Sequence, residues 1–249
     1  MALGAMASPT SHYEEHRPAS FLDAIHQLRY QVYCLERQFL DLSAHPEGLE
    51  RDEYDRFSVH FAATDESGEV VATSRLVLDS SFGFPLEHRA GGLAPEFYAL
   101  PRSRIGEISR LILATPHRGT AEPALLFGLL KELFEESRRR GLHGLLASME
   151  PRLARLLRRF GFAFSPIGPA MEYFGLVTPY WATLDTLDAG YRKVLAHLQH
   201  VAERTTILRY SDVTTPEAEE SGLVEQWTPA GAADDMDGSL MVTSHPDPN

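Results

Sequence analysis

The stretch Gly106-Glu107-Ile108-Ser109-Arg110-Leu111-Ile112-Leu113-Ala114, followed by Thr115-Pro116-His117-Arg118-Gly119-Thr120, decides the fold. Its second half is β-branched and leucine-rich, the pattern of a buried strand. Pro116 and Gly119 break that pattern. Ala121 to Arg140 then carries apolar residues at 125, 126, 129, 130, 133 and 134, the spacing of an amphipathic helix. A buried strand, a Gly-containing turn and a long helix gather backbone N–H groups at a helix N-terminus, where a phosphate can bind. Glu107 on that strand would lie beside whatever the loop holds.

Leu142 to Met149 is a further apolar run, predicted to return parallel to 105–114 through the helical crossover. Pro151 opens a helix over Arg152 to Phe160, which Gly161 ends. Phe162 to Ile167 and Ala170 to Val177 read as the final strands, and Asp188 to Glu203 as one more amphipathic helix. Upstream, Ser20 can cap a helix whose apolar positions are Phe21, Ile25, Leu28, Val32 and Leu35. Residues 37–51 form a loop. Phe57 to Ala63 alternates as a half-buried strand, Glu66-Ser67-Gly68-Glu69 is a hairpin turn, and Val70 to Leu78 is its antiparallel partner. Residues 79–103, rich in Gly, Pro and aromatics, read as an insertion over one sheet edge. The order predicts an α/β protein with a mixed sheet. It is not doubly wound, because its first strands form a hairpin.

At 249 residues and 43% hydrophobic content the chain can bury a substantial core. Its net charge is −12, and nine of those charges lie after Arg209, where no Lys or Arg occurs. Residues 1–18 therefore read as a tail, 19–205 as the folded domain, and 206–249 as an acidic, disordered extension. Cys34 is the only cysteine, which excludes an intrachain disulfide and a Cys-based zinc site. A small core thiol is the reading for it. There is no apolar run of membrane-spanning length, and a soluble cytoplasmic protein without integral membrane association is expected. His12/His16 and His197/His200 lack partners arranged for zinc. No nucleophile elbow, Walker loop or zincin motif occurs, and nothing marks a nucleic-acid binder.

One ordered set of residues resembles a family: Arg29, Tyr33-Cys34, Phe39, Asp52-Glu53-Tyr54-Asp55, Arg75-Leu76 and Glu107-Ile108-Ser109-Arg110. Over roughly residues 20–185 the chain is similar to acyltransferases of the N-acetyltransferase-like (GNAT) fold that use acyl carrier protein. These are the acyl-homoserine-lactone synthases, the N-acyl amino acid synthases and, above all, the PEP-CTERM/exosortase-associated acyltransferases. The resemblance implies a mostly antiparallel central sheet flanked by helices. It implies an acyl-phosphopantetheine co-substrate on carrier protein, possibly on CoA, with no tightly bound cofactor and no metal. It implies transfer of a medium or long acyl chain to the amine of an amino acid or similar small molecule. Two departures bear on the substrates. Arg118-Gly119-Thr120-Ala121 carries Ala121 where the ordinary acetyltransferase loop has its second Gly, which disfavours plain acetyl-CoA. The tryptophans typical of lactone synthases before the acidic motif are missing, with Phe39 in that region, which disfavours S-adenosylmethionine.

Acyl transfer to an amine requires a proton acceptor and aimed donors for the oxyanion. Glu107 is the expected base, directly or through a water, with Ser109 beside it; the alternative is a carboxylate that only anchors an arginine. Strand alternation separates Glu107 and Ser109 from Arg110, so all three share one site only if a β-bulge lies near 107–110. Asp52, Asp55, Arg29, Arg75 and Arg110 form a set of opposite charges that by resemblance shapes the pocket floor; a surface salt-bridge network is the plainer reading. Arg29 is expected to hold a substrate carboxylate. Phe39, Leu40, Leu111, Leu146, Met149, Met171 and Phe174 can line an acyl tunnel or belong to an ordinary core. Tyr173, Tyr180 and Trp181 can line the amine pocket. Leu111, Leu113, Arg118 and Gly119 are expected along the pantetheine and phosphate path.

Lys131, Arg138, Arg139, Arg140, Arg152, Arg155, Arg158 and Arg159 fall on two successive helices. Such runs usually mark a solvated face. Here they flank the expected pantetheine groove, and Arg138, Arg139, Arg155 and Arg158 would dock an acidic carrier protein. A lactone-type synthase, and a catalytically silent acyl- or partner-binding module of the same fold, are the competing readings.

Overall fold

The computed structural model describes residues 20–89, 100–118, 124–198 and 206–210. Helix α1 (Phe21–Tyr30) is capped by Ser20, whose hydroxyl accepts from the Asp23 amide at 3.1 Å. It continues as one π-helical segment, Gln31–Glu36. The hairpin β1 (Ser58–Thr64) and β2 (Val70–Val77) turns at Asp65, whose carboxylate accepts the Ser67 and Glu69 amides at 2.9 and 3.0 Å. A short helix α2 (Pro85–Arg89) precedes β3 (Ile105–Leu113). Then follow α3 (Ala124–Arg139), β4 (Gly144–Met149), α4 (Pro151–Arg159), β5 (Ser165–Pro166), β6 (Met171–Glu172), β7 (Leu176–Thr183), α5 (Leu184–Leu198) and β8 (Thr206–Tyr210).

The strands form one sheet in the order β5-β7-β4-β3-β2-β1-β8, with β6 paired to β7. Among the described residues only β3 and β4 pair in parallel. Their connection is the α3 crossover that the apolar spacing predicts. One face of the sheet packs against α3 and α5 through Phe127, Leu133, Phe134, Leu145, Leu187 and Val194. The other face carries α1, through Leu28 and Val32 against Ile112, and the segment around α2, through Phe84 and Leu86 against Val77, Ile105 and Leu146.

Three expectations are corrected. The expected final strand 170–177 is instead two strands, Met171–Glu172 and Leu176–Thr183, and the second holds Pro179 opposite Ser148. The last helix begins at Leu184, directly where β7 ends, not at Asp188. The sheet continues past residue 205, because Thr206–Tyr210 pairs with β1 as an edge strand. Residues 1–18 and 211–249 lie outside the described residues, as do His12, His16 and His200.

Candidate active site

The β3–β4 ladder holds only from Ile105/Gly144 to Ile108/Ala147. The cause is local. On the other side of β3, Thr73 pairs with Ile112 and Arg75 with Ser109, so Arg110 and Leu111 together oppose Ser74. This is the bulge that lets Glu107, Ser109 and Arg110 reach one site, and Arg110 adopts φ +52° in it. Beyond the bulge the two strands part. A cavity of about 290 Å³ occupies the gap.

The cavity crosses the sheet and changes character as it does. On the α1 side its wall is Glu107, Ser109, Arg110 and Ser148, closed by Tyr33, Tyr173 and Phe174. On the α3 side it is apolar, formed by Leu130, Met149, Leu153, Leu157 and Phe164 with Leu111. Two residues of the polar end, Arg110 and Phe174, have positive φ, near +52° and +53°. Such backbone costs roughly 1–3 kcal/mol per residue and collects at functional sites.

Glu107 is 1% exposed. One carboxylate oxygen accepts the Leu86 amide at 3.0 Å. Burial pushes its carboxyl up to about 8, against the opposing pull of that amide and of Arg75. Such a group is a far stronger base than an ordinary glutamate.

Arg110 lies with its guanidinium 5.0 Å over the Tyr33 ring and 5.1 Å over Phe174. Behind it is a buried ionic network. Arg110 Nη2 donates to Glu50 and to Asp52, both at 2.9 Å. Arg75 Nη1 donates to Asp52 at 2.5 Å and Asp55 at 2.6 Å, and its Nε donates to Ser109 Oγ at 3.0 Å. Arg29 pairs through Nε with Glu50 and through Nη1 with Asp55 at 2.6 Å. Three arginines face three carboxylates, so the network carries no net charge. Burial works against Glu50 and Asp55 as anions. Arg29 and Arg110 nevertheless hold Glu50, and Arg29 and Arg75 hold Asp55, well below the usual carboxylate range.

Two histidines complete the network. His26 accepts from Arg51 on Nδ1 at 3.1 Å, which leaves its Nε2–H turned toward Asp55. His60 donates from Nε2 to the Asp55 carbonyl at 3.2 Å. Burial, aided by Arg29, holds both imidazoles down to about 4.

Several expected site residues lie elsewhere. Arg29 is fully buried behind Glu50 and does not reach the cavity, so it has no free face for a substrate carboxylate. Arg75, Asp52 and Asp55 likewise stand behind the wall rather than in it. Phe39 does not line the cavity but packs on Tyr33 and Phe174, with ring centroids 6.0 Å from each. Leu146, Met171 and Trp181 belong to the core beneath α2. Arg118 Nε donates to the Leu113 carbonyl at 2.6 Å and its Nη2 pairs with Glu36 at 2.8 Å, so both residues are already engaged. Gly119 lies outside the described residues. Arg138 pairs with Asp188 at 3.1 Å, and Arg139 with the buried Glu136 at 2.7 Å. Arg152, Arg155, Arg158 and Arg159 on α4 are exposed, without an ion-pair partner among the described residues.

Glu50 and Ser148 are among the site residues that escaped the sequence reading. Glu50 is the third carboxylate of the network. Its signal was arithmetic: two aspartates cannot balance three buried arginines, so a third anion was required. Ser148 carries a buried hydroxyl with no partner within the described protein, at the polar wall of the cavity.

A mixed, mostly antiparallel sheet with one parallel pair and helices on both faces is a GNAT-like fold. Residues 28–128 match the acetyltransferase (GNAT) domain family. Among solved structures the chain is similar to TofI, determined in a ternary complex with an inhibitor and MTA, at 26% identity and a TM-score of 0.56 over 70% of this chain and 91% of that one. It is similar to BjaI, a CoA-dependent acyl-homoserine lactone synthase determined with SAM and isopentyl-CoA, at 23% identity and a TM-score of 0.55 over 70% and 81%. FeeM, an N-acyl amino acid synthase from uncultured soil microbes, aligns at 14% identity and a TM-score of 0.49 over 66% and 90%. No curated protein sequence matches the chain.

Proposed function

We propose that the protein is an N-acyltransferase that moves an acyl chain from a phosphopantetheine thioester to the amine of an amino acid or a similar small molecule. One observation supports this most: Glu107, a buried carboxyl of raised basicity, stands at the polar end of a cavity whose other end is apolar. Acyl carbon chains favour the apolar end by roughly 0.8 kcal/mol per buried CH₂. The thioester carbonyl would then lie between the parted strands, within reach of Glu107.

The acceptor arrives as an ammonium and gives a proton to the ionised Glu107 carboxylate. The freed amine attacks the thioester carbonyl carbon; a C–N bond forms, and the C–S bond breaks as the tetrahedral intermediate collapses. The thiolate leaves and takes up the second nitrogen proton, giving an amide and a free thiol. Main-chain groups past Ile108 and Ala147, no longer paired across the gap, are the source of oxyanion donors. The described residues offer no paired nucleophile for an acyl-enzyme, and Cys34 is buried with its thiol pushed up by burial.

Arg110 takes over the acceptor-orienting role expected of Arg29, since its guanidinium reaches the cavity. The unpaired arginines of α4 are the proposed landing face for an acidic carrier protein, with acyl-CoA as the alternative donor. A second reading is a lactone-type synthase consuming S-adenosylmethionine, the class of the similar BjaI, which was determined with SAM.

Mass spectrometry of lipid extracts from expressing cells tests both readings. A new amide-linked acyl product that disappears with Glu107→Gln supports the proposal. Release of methylthioadenosine with the product assigns the second reading, and the absence of any acylated amine contradicts both.

A further inference from the structure

The carboxylate of Glu107 owes its position to a segment outside the network. Phe84 and Leu86 are fully buried against Val77, Ile105 and Leu146. Between them the chain turns so that the Leu86 amide points at Glu107 Oε2. The next residue, Glu87, folds back. Its Oε2 accepts the Phe84 amide at 2.9 Å and Arg102 Nη2 at 2.8 Å, while its Oε1 accepts Arg102 Nη1 at 2.5 Å. Arg102 lies 5.1 Å over the Phe84 ring and reaches Asp79 at 3.3 Å. Gly83, at φ +71°, makes room: a Cβ there would stand 2.7 Å from Glu87 Oε2. The bidentate Glu87–Arg102 pair, with Asp79 beside it, thus ties residues 79–89 to the turn that opens β3.

We propose that Glu87 and Arg102 are positioning residues for Glu107: their bidentate pair holds the Leu86 amide in hydrogen-bond contact with the Glu107 carboxylate and keeps the Glu87 charge neutralised beside it. The proposal deepens the reading of Glu107 as the proton acceptor and rests on it for its catalytic meaning. Neither residue touches the cavity. The groups that face Glu107 are the Leu86 amide and Glu87 from the α2 segment, Arg75 from β2, Arg110 from β3, and the phenols of Tyr54 and Tyr173. The Leu86 amide, Arg75 and Arg110 favour its ionised form, and Glu87 opposes it. Cutting the pair at Arg102 removes a favourable contact and bares the opposing charge, so both consequences have the same sign.

The test is a carbon-13 NMR titration of the Glu107 carboxyl in the full chain, with the wild type, Arg102→Gln and Arg102→Lys, beside the pH profile of kcat/KM with octanoyl-CoA or octanoyl-carrier protein as donor. The Glu107 midpoint is expected to rise by roughly one pH unit in Arg102→Gln, the size of one hydrogen bond lost by a carboxylate. The acid limb of kcat/KM moves with it, and Arg102→Lys restores part of the shift. Should Arg102→Gln fail to fold, Glu87→Asp, which shortens the pair by one methylene, is read in the same way. An unchanged NMR midpoint overturns the proposal, as does a rate lowered equally at every pH. Failure of the underlying reading looks different: Glu107→Gln would keep its activity while the NMR midpoint still responded to Arg102.

Discussion

Glu50 grips Arg110 through both carboxylate oxygens, accepting from Nε at 3.2 Å and from Nη2 at 2.9 Å. The same carboxylate also accepts from Arg29. One loop residue therefore compensates two buried cations, one on α1 and one on the bulge of β3. Replacing Glu50 by Gln keeps the shape and removes the charge. Breaking one partner of a buried ion pair typically costs about 3–5 kcal/mol. Urea unfolding of Glu50→Gln is expected to show a loss of that order, and a loss below roughly 1 kcal/mol, the range of an exposed pair, would show the network to be dispensable.

The pH dependence of stability has two limbs with separate causes. His26 and His60 have folded-state values near 4, below the ordinary 6.5. The unfolded chain binds more protons between those values, so their contribution is present above pH 6.5 and is lost as the pH falls toward 4. Glu107 works the other way. Its folded value near 8 exceeds the ordinary 4.5, so stability falls as the pH rises between them. Thermal melts should show Glu107→Gln stabilised relative to wild type at pH 9, on the order of a few kcal/mol, with the gain vanishing below pH 4.5. No difference at pH 9 would contradict a carboxylate whose burial outweighs its favourable contacts.

Gly144 opens β4 where β7 passes closest. A Cβ there would stand 2.5 Å from the Ala182 carbonyl and 2.6 Å from the Trp181 ring. Backbone cannot yield as a flexible side chain can, so Gly144→Ala should force the strands apart and cost roughly 1–3 kcal/mol. A denaturant midpoint equal to wild type would contradict this.

The α4 arginines are a kinetic prediction. Arg155→Glu combined with Arg158→Glu is expected to raise the apparent KM for acyl-carrier protein by roughly tenfold at low salt, since steering acts mainly on encounter. The effect should shrink with added salt. Equal KM values for wild type and the double variant would remove α4 as the docking face.

Much of this was legible in the chain because period and punctuation agreed. The β1–β2 hairpin, the α3 crossover and the Ser20 cap each announce themselves through local pattern. The charged residues of the network were visible as a set, but their roles were not. Arg29, a lone arginine on an apolar helix, reads as a ligand-binding cation; it proves to be an internal counter-charge. Glu50 sits in an aperiodic loop, where only charge arithmetic could have flagged it. β7 was misplaced; Pro179 lies inside it, and proline is rare within a strand. The Glu87–Arg102 pair joins residues that no local pattern connects. It becomes apparent only once Glu87 is seen to accept from both the Phe84 amide and Arg102.

The proposed catalysis turns on Glu107 accepting the proton of the acceptor amine. The direct measurement is kcat/KM for thiol release from octanoyl-carrier protein or octanoyl-CoA, in the presence of an amine panel that includes the amino acids and S-adenosylmethionine, across pH 5.5–9.5, for wild type and Glu107→Gln. Wild-type activity should climb with pH to a plateau above about 8, and Glu107→Gln should fall by about 10²–10⁴-fold and lose that limb. A Glu107→Gln enzyme with near wild-type turnover and the same pH limb would contradict it.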